Sequence, residues 1–101
     1  MESLSPCERM AYVEVIYEGD HCLKCFQMAE VAAEATKKFG ARARWEKVDI
    51  RKRKGAQRYA QLSVKNGSVA PIPSLFVNEK LAFETTLSVK ALEDYLKGIL
   101  I

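Results

Sequence analysis

Tyr12-Val13-Glu14-Val15-Ile16-Tyr17 is an unbroken β-branched and aromatic run. After the short loop Glu18-Gly19-Asp20-His21, Cys22-Leu23-Lys24-Cys25 opens a stretch rich in Ala, Glu and Lys. The first run reads as a largely buried strand and the second as a helix. A buried strand that feeds so quickly into a helix is the first half of a crossover in an α/β sheet. The thiol pair falls at the junction. Two cysteines at this spacing, with the first at a helix N-terminus, lie within reach of each other as a reversible disulfide. The exposed helix amides and the helix dipole favour a thiolate there over a thiol. The arrangement points to dithiol redox chemistry.

The rest of the composition narrows the setting. A chain of 101 residues supports one domain with one modest core, and 49% hydrophobic with 29% charged residues is the balance of a globular protein rather than a disordered one. The net charge of +3 does not by itself imply a nucleic-acid partner. No apolar run approaches the ~18 residues of a membrane span. Residues 1–10 carry Glu2, Glu8 and Arg9 and no apolar signal core, so a cytoplasmic location is expected. Three cysteines, two of them in one CxxC, do not make a structural disulfide framework.

Residues 1–10 are expected to form a flexible leader, with one domain over 11–101. Beyond the first strand, the helix runs from Cys22 to about Phe39 with Phe26, Ala29, Ala33 and Thr36 on its buried face, and Gly40 stops it. Arg44 to Ile50 alternates as a second strand. Arg51-Lys52-Arg53-Lys54 is a basic connector, and Gly55 to about Val64 a second helix through Ala56, Tyr59, Ala60 and Leu62. Ser74-Leu75-Phe76-Val77 is a third strand, Asn78-Glu79-Lys80 a hairpin turn and Leu81-Ala82-Phe83-Glu84 a fourth strand. Ser88 caps a last helix that buries Val89, Leu92, Leu96 and Ile99, with Tyr95 at its edge. The order β-α-β-α-β-β-α gives a four-stranded mixed sheet with helices on both faces. The first three strands are expected to lie parallel and the fourth antiparallel. Phe26, Phe39, Trp45, Tyr59 and Phe76 are expected in the core.

This order, with CxxC opening the first helix and Pro71-Ile72-Pro73-Ser74 opening the third strand, resembles the thioredoxin and glutaredoxin superfamily over residues 12–98. The resemblance implies a thioredoxin-like α/β fold, with a cis bond at Ile72-Pro73 lying beside the cysteine pair. It implies a protein-disulfide oxidoreductase that needs no cofactor. Cys22 is then the nucleophile, Cys25 the resolving thiol and Lys24 a group that stabilises the thiolate. Ile72, Pro73 and His21 contact substrate, and the Ile72 backbone is free to pair with an extended substrate segment. The partners implied are disulfide-containing proteins and an unidentified reductase, with no nucleic acid and no membrane. The surface composition is that of a monomer. The chain departs from thioredoxin proper in having His21-Cys22-Leu23-Lys24-Cys25 for Trp-Cys-Gly-Pro-Cys, and Ile16 where a buried aspartate stands. The segment from Asp49 to Pro73 is also longer. The glutathione-contact motifs of glutaredoxins are not evident in Leu81 to Thr86.

Two other readings fit the same residues. His21, Cys22 and Cys25, with Cys7 from the leader, make a zinc set. Alternatively, the domain is a non-catalytic interaction module. The basic run at 51–54 lacks interleaved aromatics and suits docking to an acidic partner protein better than nucleic acid.

Overall fold

The computed structural model describes residues 10–19, 21–84 and 88–100. The expected leader therefore lies outside the described residues except for Met10, as do Cys7 and Asp20. The element order is β1 (Ala11–Tyr17), α1 (Leu23–Lys37), a short 3-10 turn (Gly40–Arg42), β2 (Ala43–Asp49), α2 (Arg53–Lys65), β3 (Ser74–Val77), β4 (Lys80–Phe83) and α3 (Val89–Leu100). These form one four-stranded sheet in the order β2-β1-β3-β4.

The central strand β1 is buried at every position but Tyr12, because both of its faces are covered. Val13 and Val15 point to the layer formed by α1 and α3, where Met28, Ala32, Ala35, Leu92, Leu96 and Leu100 complete the main core. Ile16 points the other way and packs with Val48, Leu62, Ala70 and Phe76 beneath α2. The leucines of α3 recur every four residues and make one stripe. Each such side chain, fully buried, contributes about 1.5–3 kcal/mol. The small side chains of α1 let that helix lie close to the sheet. Lys38 then pairs with Glu93 at 3.3 Å to tie the end of α1 to α3.

Strand β1 pairs in parallel with β2, from Ala11 opposite Ala43 to Tyr17 opposite Asp49. It pairs antiparallel with β3, from Val13 opposite Val77 to Ile16 opposite Ser74. The expectation of three parallel strands is therefore wrong for β3. The path of the chain explains it. Helix α2 starts at the end of the sheet where Tyr17 and Asp49 lie and ends beside the β3–β4 hairpin, where Asn66 Nδ2 donates to the Glu79 carbonyl at 3.0 Å. The following segment then runs back along α2. Ser68 N donates to the Ser63 carbonyl, Ala70 N to Ser63 Oγ, and the Tyr59 hydroxyl to the Ala70 carbonyl. This return brings Ser74 into the sheet at the end where β2 left it, so β3 must descend.

Four smaller expectations are also corrected. The buried face of α1 is Cys25, Met28, Ala29, Ala32, Ala35 and Thr36, so Phe26 is left 45% exposed and Ala33 only half-buried. Ala56 and Ala60 of α2 are exposed, and Leu62 and Ser63 form its buried face. Arg53 and Lys54 belong to the first turn of α2 rather than to a connector. In α3, Leu100 is buried where Ile99 was expected. The Ser88 cap is present, with Ser88 Oγ accepting from Ala91 N at 3.1 Å.

The hairpin turn places Asn78 and Glu79 at φ 51° and 72°, the left-handed pair that matches the twist of adjoining strands. Asn78 also holds the start of β1, accepting from Tyr12 N at 2.8 Å through Oδ1 and donating to the Met10 carbonyl at 3.2 Å. No helix among the described residues is long and apolar enough to cross a membrane.

Candidate active site

Cys22 is the N-cap of α1, with extended backbone (φ −88°, ψ 102°). Its amide donates to the Gly19 carbonyl at 3.1 Å, and its carbonyl accepts from Phe26 N at 3.0 Å. Its Sγ accepts from Cys25 N at 3.3 Å, as a capping side chain does. A sulfur takes here the place that a serine or aspartate oxygen usually holds, and it sits half-buried at the positive end of a 15-residue helix with no acidic residue in its first turn.

Cys25 lies one turn further on and is fully buried, against Tyr17, Ala29, Cys22 and Trp45. Burial, followed by the hydrogen bond to Cys22, pushes the Cys25 thiol up to about 11. Both thiols are free. The two sulfurs thus differ in kind. One is accessible and receives an amide hydrogen bond; the other is enclosed and keeps its proton.

The loop before Cys22 is closed down by Gly19, which is buried with φ +136°. That φ favours glycine, and a Cβ there would also press on His21 Nδ1 at 2.8 Å and on an Arg51 guanidinium nitrogen at 3.0 Å. Arg51 in turn grips Asp49 at 2.9 and 3.0 Å, and these bonds hold the Asp49 carboxyl down at about 2. The backbone joins the two segments as well, with Ile50 N donating to the Tyr17 carbonyl at 3.0 Å.

The start of β3 reaches the same end of the sheet. Ser74 pairs with Ile16, which brings the preceding residue, Pro73, level with Tyr17. Pro73 is buried, Ile72 is 36% exposed, and the bond between them is cis. Of the residues singled out from sequence, Cys22 and Cys25 touch, and Ile72 and Pro73 lie at their end of the sheet. His21 is exposed and turns to Glu18, with Nε2 at 3.8 Å from its carboxylate. Lys24 is exposed on the first turn of α1 and makes no salt bridge among the described residues. Nor do the described residues hold any group of three His, Cys, Asp or Glu arranged for a metal ion.

Sequence reasoning missed the surroundings of the pair. Leu23 and Phe26 are 66% and 45% exposed, and with Ile72 they give the thiols an apolar rim. Beside them, Phe26, Ala29, Glu30, Ala33, Trp45 and Lys47 line a groove of about 230 Å³. Lys47 Nζ stands 4.6 Å over the Tyr17 ring. A cavity of about 300 Å³ lies on the α2 face between Tyr12, Glu14, Glu46 and Arg58. Its carboxylates are already bonded, Glu14 to Arg58 and Glu46 to the Tyr12 hydroxyl, so the thiol end of the sheet is the better candidate. Phe26 lies outside the stripe of Cys25, Met28, Ala29, Ala32, Ala35 and Thr36 that faces the sheet.

No protein-family model matches the chain, and no curated protein sequence does. Solved structures do match. One is described as a malarial protein; it is 18% identical, covered over its whole length by 92% of this chain, with a TM-score of 0.65. A second is thioredoxin-2, described as a component of the malaria parasite protein secretion machinery. It is 18% identical over 88% of this chain and 82% of its own, with a TM-score of 0.62. With the mixed sheet and its helix layers, these likenesses define the class: this chain has a thioredoxin-like fold that carries a Cys22–Cys25 pair at the start of α1.

Proposed function

We propose that the chain is a thiol–disulfide oxidoreductase that exchanges disulfides with protein substrates through Cys22 and Cys25. One observation carries this reading: the Cys22 sulfur is half-exposed at the N-cap of α1 and accepts an amide hydrogen bond, while the Cys25 thiol is enclosed one turn behind it.

The Cys22 thiolate attacks one sulfur of a substrate disulfide. That S–S bond breaks, a Cys22–substrate disulfide forms, and the departing substrate thiolate takes up a proton. Cys25 then loses its proton and attacks the Cys22 sulfur, releasing the second substrate thiol and leaving a Cys22–Cys25 disulfide. Two electrons pass to the substrate, and a separate reductase returns them. The enclosed Cys25 resists reaction with other disulfides, and the mixed disulfide brings its target within one helical turn. Ile72, outside β3, offers a backbone edge on which an extended substrate segment can lie as an added strand, with Pro73 behind it. Lys24 and His21, both exposed beside Cys22, are assigned to the thiolate and to substrate contact. A reducing compartment such as the cytoplasm suits a dithiol held ready in this way.

The experiment is a trap. Cys25→Ser should accumulate protein substrates as mixed disulfides on Cys22, and Cys22→Ser should abolish both trapping and turnover. A Cys25→Ser protein that captures nothing from an oxidised extract, while its Cys22 remains alkylatable, would contradict the reading.

A further inference from the structure

Lys52, Arg53 and Lys54 open α2 in a way that does nothing for the helix. Lys52 is the N-cap and provides no side-chain cap, and the first turn holds no acidic residue. Cations at this end oppose the helix dipole, where aspartate, serine or glutamate would stabilise it. None of the three side chains makes a salt bridge or hydrogen bond among the described residues; Lys52 adds only to the field on Asp49. A local rule broken with no gain inside the fold points to a role outside it.

Their position supplies that role. The segment leaves β2 at Asp49, the residue level with Tyr17. Its Arg51 guanidinium and His21 both abut Gly19, three residues before Cys22. Arg51 thus joins the thiol loop to the basic turn that follows it, whose last member, Lys54, lines the α2-face cavity with Glu14, Glu46 and Arg58. Among the described residues, Asp49 is bonded to Arg51 and Glu46 to the Tyr12 hydroxyl, Glu18 lies 3.8 Å from His21, and Glu30 lines the groove beside Phe26 on the α1 side. Lys47 adds a further cation at the groove beside Phe26. The surface around Cys22 is therefore apolar at its centre, through Leu23, Phe26 and Ile72, and positive on its α2 side.

We propose that this side is a docking site for acidic polypeptide: the substrates of the dithiol carry Asp or Glu within a few residues of the disulfide, and Lys52, Arg53 and Lys54 receive them. The proposal rests on the exchange reading above. It names protein rather than nucleic acid because the apolar rim serves a disulfide-bearing chain, and because no exposed aromatic is interleaved with the cations to stack a base.

The test is a single-turnover reaction of the reduced protein, which needs no added reductase. The substrates are three peptides of equal length, each with one internal disulfide flanked by acidic, neutral or basic residues. At low ionic strength the acidic peptide should exchange about tenfold faster than the neutral one and the basic peptide slower still, with the spread narrowing as salt is added. K52Q/R53Q/K54Q should bring the acidic-to-neutral ratio close to one, whereas K52R/R53K/K54R should keep it. Equal rates for acidic and neutral peptides in the wild type, or an unchanged ratio in the glutamine variant, would overturn the docking site and leave exchange standing. No exchange with any of the three peptides would overturn the exchange reading itself, and this proposal with it.

Discussion

Arg58 reaches from α2 onto the central strand and closes a two-point ion pair on Glu14, Nε to Oε2 at 2.7 Å and Nη2 to Oε1 at 2.8 Å. Glu14 is only 2% exposed. The guanidinium also meets Glu79 at 3.0 Å, and Glu79 meets Lys65 at 3.0 Å, so α2 is pinned to both β1 and the β3–β4 turn. These two cations hold the Glu79 carboxyl below its usual range. A carboxylate this deep is tolerable only while its partner is present.

Arg58→Met should therefore destabilise the protein by about 3–5 kcal/mol, the usual cost of stranding a buried charge. Glu14→Leu combined with Arg58→Met should recover most of that loss. Urea unfolding followed by Trp45 fluorescence gives both numbers, and a double variant as weak as the single one would show that packing, not charge, is at stake.

Gly55 sits in α2 where the helix crosses the end of β2. A Cβ there would collide with the Asp49 backbone carbonyl. Gly55→Ala should therefore destabilise by about 1–3 kcal/mol through overpacking, although alanine is the better helix former by ~1 kcal/mol. A stabilised variant in the same unfolding assay would mean that α2 stands further from the sheet.

Asp49 is held at about 2 by the hydrogen bonds from Arg51, against an ordinary value of 3.8. A carboxylate with a lowered folded pKa adds stability above its unfolded value and loses it as pH falls through the folded one. The Asp49 contribution is thus present above about pH 4 and fades toward pH 2. Asp49→Asn should narrow the difference in urea midpoint between pH 5 and pH 2 relative to wild type. An identical acid loss in both proteins would place the acid sensitivity elsewhere, with Glu79 the next carboxylate to test.

Cys25 is raised to about 11 mainly by burial and secondly by the bond to Cys22. In Cys22→Ser, alkylation of Cys25 should be slow at neutral pH and rise to a midpoint still above the ordinary 9.0, because the larger cause remains. The stability linked to the neutral thiol is full below pH 9 and is lost as pH climbs through about 11. A midpoint at or below 9.0 would mean that Cys25 is open to solvent.

What the sequence made legible was local. The β-branched run of β1, the Asn78-Glu79 turn and the four-residue leucine spacing of α3 each declare themselves within a few residues. The Cys22–Cys25 pair does so too, because its spacing alone places it on one helical turn. The direction of β3 was not legible, since it depends on residues 66–73 folding back along α2 through Ser63 and Tyr59. The phase of α1 was misjudged because an alanine-rich helix carries weak periodicity, and Phe26 drew the apolar face toward itself. Arg58 and Glu14 stand 44 positions apart, and nothing near either one announces the other. Gly55, a glycine early in a helix, was the one unused local hint of close packing against a strand.

The most direct measurement is a redox titration of the intact chain against a dithiol buffer, with alkylation and mass spectrometry assigning each cysteine. A single two-electron couple confined to Cys22 and Cys25 is expected, with Cys7 alkylated throughout. Failure of the two thiols to form a disulfide at any potential, with both alkylated under oxidising conditions, would contradict it.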